Sequence, residues 1–185
     1  MSCTFRCASL DGDADRLVYF YIPPKDQSDA SSSSLQLLDG DKIATLFASY
    51  IIDQLHILRG TSLSSGATPT TDIPGFGTVK VAVIQTAYAN GASTKYIKDV
   101  LGLEVAITPT GVKHLHKRAA QYDVGIYFEA NGHGTVLFSD NFLQWLHDVA
   151  SREEGTLRDT VFTLLAVSLF PLRRITLSQY RTFRI

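Results

Sequence analysis

Strands and helices alternate along this chain, which predicts an α/β fold with mixed, mainly parallel sheets and flanking helices, arranged as two units. Three observations carry that expectation. From residue 79 onward, apolar runs of strand length are separated by segments with helical spacing, the pattern that lays helices on the faces of a parallel sheet. The run V-K-V-A-V-I-Q at residues 79–85 is almost continuously apolar, as strands covered on both faces are. With 185 residues, 45% hydrophobic and 19% charged, the chain can bury the core of one domain or of two small ones.

Taken in order, residues 6–10 lead into an acidic loop and residues 17–22 leave it as an aromatic, β-branched strand that Pro23 and Pro24 stop. Residues 25–34 form a polar loop ending in consecutive serines, and residues 35–38 a short return strand. Asp39 and Gly40 read as a turn. Asp41 is then placed to cap a helix over 42–58, with Ile43, Leu46, Phe47, Tyr50, Ile51 and Leu55 at three- and four-residue spacing as its buried stripe. Asp53 and His56 fall at the surface or boundary of that helix. Residues 60–78 turn rich in Gly, Ser, Thr and Pro and read as a linker or surface insertion. Beyond the strand at 79–85, helices are expected over 93–101 and 112–121 and strands over 105–108 and 124–129. A hairpin partner follows at 135–139, after an Asn-Gly turn. A last helix over 141–151 buries Phe142, Trp145, Leu146 and Val149.

Composition narrows the function. A net charge of −1 argues against nucleic acid or a membrane surface as partner. The apolar run at 161–172 is too short to span a bilayer and contains Pro171. Cys3 and Cys7 lack a second Cys/His pair at zinc spacing and suit free thiols in a reducing compartment. With no basic segment followed by an apolar stretch near residue 1, a cytoplasmic location is expected.

Chemistry concentrates in three loops that follow strand ends, where ligand groups gather in open α/β sheets. In D-G-D-A-D-R, residues 11–16, Asp11, Asp13 and Asp15 recur at every second position and project to one side of an extended segment. Three converging carboxylates repel unless a hard cation sits between them, and Mg2+ is the natural occupant. An acidic, solvated turn is the plainer alternative. An EF-hand fails, because loop positions six and twelve hold Arg16 and Ile22. A dehalogenase-type phosphatase fits poorly, because Asp15 stands where Thr or Val is needed. In E-A-N-G-H-G, residues 129–134, Glu129 can accept two sugar hydroxyls and Asn131 can donate and accept, which suits a polyol. Pattern alone favours a simple hairpin turn there. In the third loop, Lys113, with His114 or His116, is placed to face an anion, whereas Lys117 and Arg118 read as a solvated helix face. Zinc is not expected, since His114 and His116 diverge on a helix and no cysteine completes a site.

Together these stretches resemble one family, the eukaryotic phosphoacetylglucosamine mutases of the α-D-phosphohexomutase superfamily. The matching segments are 6–16, 38–46, 85–94 (Q-T-A-Y-A-N-G-A-S-T), 110–116 (T-G-V-K-H-L-H) and 127–135. The resemblance implies two partial phosphohexomutase domains: a metal-binding unit over 1–59, a connector over 60–78, and a sugar-binding unit over 79–168. Residues 169–185, which carry arginines and no acid, form a divergent tail that matches nothing in the family. It further implies that Asp11, Asp13 and Asp15 hold Mg2+, supported by Arg16. Glu129, Ala130, Asn131, Gly132 and His133 would contact a phosphorylated N-acetylhexosamine, with Gly111 and Lys113 nearby. Family members interconvert N-acetylglucosamine 6-phosphate and 1-phosphate, on the way to UDP-N-acetylglucosamine, through a phosphoserine and a bisphosphorylated sugar.

The family's phosphoserine loop has no counterpart in this sequence, and Ser9 lacks its surroundings. By lineage the expectation is therefore an isomerase, and for the chain alone a non-catalytic module that binds Mg2+, sugar phosphate or a protein partner. The strands beside the acidic loop are expected to lack sheet neighbours, leaving faces through which the chain oligomerises or aggregates.

Overall fold

A computed structural model of the chain describes residues 5–22, 35–60 and 71–168. The acidic loop joins β1 (Phe5–Leu10) to β2 (Leu17–Ile22), and β3 (Gln36–Leu38) completes a small sheet. That sheet is antiparallel throughout, in the order β1-β2-β3. The expectation of missing neighbours therefore fails for β2, which pairs on both sides. Leu10, Leu35 and Leu37 remain exposed on this unit. The serine-rich loop and the divergent tail lie outside the described residues.

The larger sheet is mixed and mainly parallel. It contains β6 (Val81–Thr86), β7 (Glu104–Thr108), β8 (Val124–Phe128) and β9 (Gly134–Phe138) in the order β7-β6-β8-β9. β6 runs parallel to both β7 and β8, and β9 returns antiparallel to β8. Alternation splits its residues between two faces. Val81, Val83, Val124, Ile126 and Phe128 join the main core, while Ala82, Ile84 and Tyr127 meet Leu115 and Ala119 of α3 (Val112–Ala119). The main-core side carries α1 (Gly40–Leu58), α2 (Gly91–Asp99), α4 (Asp140–Arg152) and α5 (Thr156–Ser168). Because β6 sends its connection to one side and β8 lies on the other, the C-terminal ends of these two strands flank the point where chain order reverses. Ligand crevices form at such points.

Several expectations need correcting. α1 starts at Gly40, and its cap is Asp39, whose side chain accepts from Lys42 N at 3.0 Å. Asp41 lies inside the first turn. Leu46 is 59% exposed, because the buried arc of α1 runs instead through Ile43, Ala44, Ala48, Ile51, Ile52, Leu55 and Leu58. Leu46 lines an open groove of about 620 Å3 against the first sheet, beside Tyr19, Tyr21 and Leu38. The second half of the expected linker is structured. A hairpin of β4 (Asp72–Ile73) and β5 (Gly77–Thr78) buries Ile73 and sets Phe76 edge-on to Phe142 and Trp145, at 5.1 and 5.7 Å between centroids. Finally, residues 156–168 form α5, with Val161 and Leu164 fully buried. Their apolar run signalled burial, but its alternation of small, polar and branched residues hid the helical period. Among the described residues no helix is long and apolar enough to cross a membrane.

Candidate functional site: an acidic loop bonded to the E-A-N-G-H-G turn

The acidic loop converges by turning rather than by extending. Ala14, at φ 61°, takes a left-handed conformation rare for a non-glycine residue, and its N–H donates to Asp11 O at 3.2 Å. The N–H groups of Asp15 and Arg16 both donate to Asp11 Oδ1 at 3.2 Å. One carboxylate oxygen from each of Asp11, Asp13 and Asp15 then lies within 4.8 Å of the other two. Three exposed, anionic oxygen ligands at that spacing fit a hard divalent cation such as Mg2+. Arg16 Nε stands 3.7 Å from Asp11 Oδ2 and 3.9 Å from Asp15 Oδ1. Desolvation is the largest single influence and pushes the Asp11 carboxyl up, but the Arg16 and Asp15 N–H groups and the Arg16 guanidinium together outweigh it and hold Asp11 below the usual carboxylate range.

The sugar-loop candidate is a tight reversal between β8 and β9. Gly132 N donates to Glu129 O and Glu129 N to His133 O, both at 2.8 Å, while Asn131 Oδ1 accepts from His133 N at 2.9 Å. Ala130 and Asn131 are exposed at its tip, Glu129 is half-buried and Gly132 is buried. The hairpin turn that pattern favoured is therefore present. It is also joined to the acidic loop.

Leu17 N donates to Gly132 O at 3.1 Å, Arg16 and His133 form an antiparallel bridge, and His133 Nδ1 lies 3.6 Å from Asp15 Oδ2. Two loops more than a hundred residues apart in sequence are thus one surface. A Cβ on Gly132, whose φ is +87°, would meet Leu17 O at 2.0 Å. Only glycine permits that approach.

The third loop is at the same end of the sheet, after β7, and among the described residues no hydrogen bond or ion pair joins it to the other two. Gly111 caps α3 at φ 121° and Lys113 is exposed in the first turn. His116 Nδ1 lies 3.1 Å from the hydroxyl of Tyr127, whose ionisation burial pushes up. His116 is thereby engaged with the sheet.

Two residues that the sequence marks only as a turn and a helix cap tie α1 to this end of the sheet. Gly40 N donates to Ala130 O at 3.2 Å. Asp41, 5% exposed, accepts from Asn90 N at 3.0 Å, in the turn after β6. Burial raises the Asp41 pKa, the Asn90 N–H opposes that, and Asp39 adds to it. The folded chain therefore favours protonated Asp41 more than the unfolded chain does, and this stabilisation fades as pH rises from the ordinary value of 3.8 through the folded pKa. Asp41→Asn, neutral at every pH, is expected to melt above wild type near neutrality. The two should converge at acid pH in thermal melts, and a gap independent of pH would contradict the assignment.

The family model for phosphoacetylglucosamine mutase AMG1, domain III, matches residues 39–170. Phosphoacetylglucosamine mutase of Arabidopsis thaliana is 52% identical over 169 residues, covering 88% of this chain and 27% of that protein. The Aspergillus fumigatus N-acetylphosphoglucosamine mutase, solved in complex with GlcNAc-6P and magnesium, is similar with TM-score 0.63 and 44% identity, over 87% of this chain and 28% of that one. An apo-form N-acetylglucosamine-phosphate mutase of the α-D-phosphohexomutase superfamily gives TM-score 0.65 and 40% identity, over 88% of this chain and 31% of that one. The chain thus spans about a quarter of the length of the curated relatives it matches. With the acidic loop and the E-A-N-G-H-G turn bonded as one surface, and these matches across most of its length, the chain belongs to the phosphoacetylglucosamine mutase family.

Proposed function

We propose that this chain carries the metal- and sugar-recognition surface of a phosphoacetylglucosamine mutase. The reaction served is the interconversion of N-acetylglucosamine 6-phosphate and 1-phosphate through a phosphoserine and a bisphosphorylated sugar, in cytoplasmic UDP-N-acetylglucosamine synthesis. The observation that carries this reading is the direct bonding of residues 15–17 to residues 132 and 133. A cation held by Asp11, Asp13 and Asp15 would sit beside any sugar held by Glu129 and Asn131. When bound, Mg2+ supplies neutralisation of charge on a transferring phosphoryl group. Glu129 accepts sugar hydroxyls, Asn131 both donates and accepts, and the exposed Lys113 offers a cation to the phosphate. Arg16 helps keep Asp11 ionised and stands beside Asp15. The units are the metal loop with its three-stranded sheet, within 1–59, and the sugar-recognition sheet over 79–168. α1 packs into the core of the second.

The isolated chain is read as a binding module, because the family's phosphoserine loop has no counterpart among its 185 residues. Ligand-observed NMR with N-acetylglucosamine 6-phosphate and Mg2+ tests this. Saturation transfer to the sugar is expected, weakened about tenfold by Glu129→Ala, which removes hydrogen bonds to a charged acceptor. No transfer from wild type would sink the recognition reading. In a coupled assay primed with glucose 1,6-bisphosphate, turnover above an Asp13→Ala control would overturn the binding-only reading.

A further inference from the structure

The first turn of α1 is built for more than starting a helix. Asp39 already supplies the cap, accepting from Lys42 N, and that alone satisfies an exposed helix start. The next two residues are spent outward. Gly40 lies against the candidate sugar loop: its N–H donates to Ala130 O at 3.2 Å, and a Cβ there would fall 1.7 Å from Glu129 O and 3.2 Å from Gly132 N. Asp41 reaches the other way. Its carboxylate is 5% exposed and accepts from the backbone N–H of Asn90, 49 residues away in sequence. Asn90 in turn caps α2 through Ala92 N at 2.9 Å. A carboxylate this deep gives up solvation that a surface position in the same turn would keep. A bond that helix formation does not need has been retained at that cost.

We propose that Gly40 and Asp41 are positioning residues for the sugar loop, holding it and the turn after β6 at a set distance from one rigid helix start. Gly40 then packs under Glu129 and Gly132, and Leu17, the first residue of β2, holds Gly132 from the side. Asp41 acts at one remove, by locking the helix start to Asn90 so that Gly40 cannot drift from the sugar loop. The functional half of this inference rests on reading residues 129–131 as the sugar contact. The geometric half does not.

The test uses the full 185-residue chain with D41A, D41N and G40A, and two readouts. Amide exchange is followed at Glu129 and Gly132, whose N–H groups close the loop, with α4 amides as a remote reference. Binding of N-acetylglucosamine 6-phosphate is followed by NMR titration. In D41A, loss of a hydrogen bond to a charged group is expected to speed loop exchange about tenfold and weaken sugar-phosphate binding by a similar factor. The α4 amides should stay at wild-type rates. D41N, which keeps an acceptor for Asn90 N, should restore both readouts. Loop exchange at wild-type rate in D41A overturns the proposal, as does equal acceleration in α4, which would mark a purely global effect. Should G40A fail to fold, D41A and D41N decide alone. If the wild-type chain binds no sugar phosphate, the sugar reading falls, and loop exchange still supports or overturns the clamp.

Discussion

Gly132→Ala is expected to destabilise the chain by roughly 2–5 kcal/mol, from left-handed backbone strain and from overpacking against a main-chain atom. The strain arises because φ is +87°, and the overpacking because the new Cβ would meet Leu17 O at 2.0 Å. The contact is with main chain, not with a flexible side chain that could step aside. The loop must move as a unit, and doing so breaks the Leu17 N to Gly132 O bond that ties the E-A-N-G-H-G turn to the strand leaving the acidic loop. Two controls separate the causes. Gly60 also has positive φ, +75°, but open space around it, so Gly60→Ala carries strain alone and should cost about 1 kcal/mol. Gly12 has open space and no positive φ, and Gly12→Ala should be near neutral. Urea denaturation of the three variants gives the comparison. A Gly132→Ala cost no larger than that of Gly60→Ala would mean that the two loops do not press together as described.

Asp13→Asn is expected to move two quantities in opposite directions. Asp13 is the cleanest probe of the acidic loop: Asp11 accepts two backbone N–H bonds and pairs with Arg16, and Asp15 faces Arg16 and His133. Asp13 has no hydrogen bond or ion pair among the described residues. Without metal, its carboxylate only repels the other two, so removing its charge should raise the melting temperature slightly in low salt, with the gain screened away in high salt. With metal, the sign reverses. One charge taken from about 3 Å of a divalent ion weakens binding by about 2–3 kcal/mol even at the dielectric of water, or about a hundredfold. Isothermal titration with Mg2+ reads the affinity, and thermal melts with and without Mg2+ read the linked stabilisation. Equal Mg2+ affinity in wild type and Asp13→Asn would dismiss the triad as a metal site.

Both predictions depend on features of different legibility. Asp11, Asp13 and Asp15 were readable as a convergent set because alternate spacing is local, although the loop gathers them by a left-handed turn at Ala14. The strand at Val81–Thr86 and the helices over α2, α3 and α4 were likewise visible in runs and spacings within single segments. Leu46 was misplaced for a related reason. Helical periodicity marks an apolar arc but not which edge of it a neighbour covers, and here Ala44, Ala48 and Ile52 are covered while Leu46 faces an open groove. The hairpin around Phe76 was hidden by its composition. Gly, Thr and Pro describe a flexible segment equally well until one aromatic finds Phe142 and Trp145.

The sequence by itself determined the alternation of elements, the acidic triad, the Asn-Gly turn and, through its motifs, the family. Those signals are carried by neighbours in the chain, where backbone geometry and side-chain period act directly. Tertiary structure alone decided that Asp39 caps α1 while Asp41 crosses to Asn90, that Gly40 lies under Glu129, and that residues 15–17 bond to residues 132 and 133. All but the Asp39 cap join segments tens of residues or more apart, and in Asp39-Gly40-Asp41 the two carboxylates are chemically alike. Only packing, which buries one and leaves the other at the helix start, tells them apart.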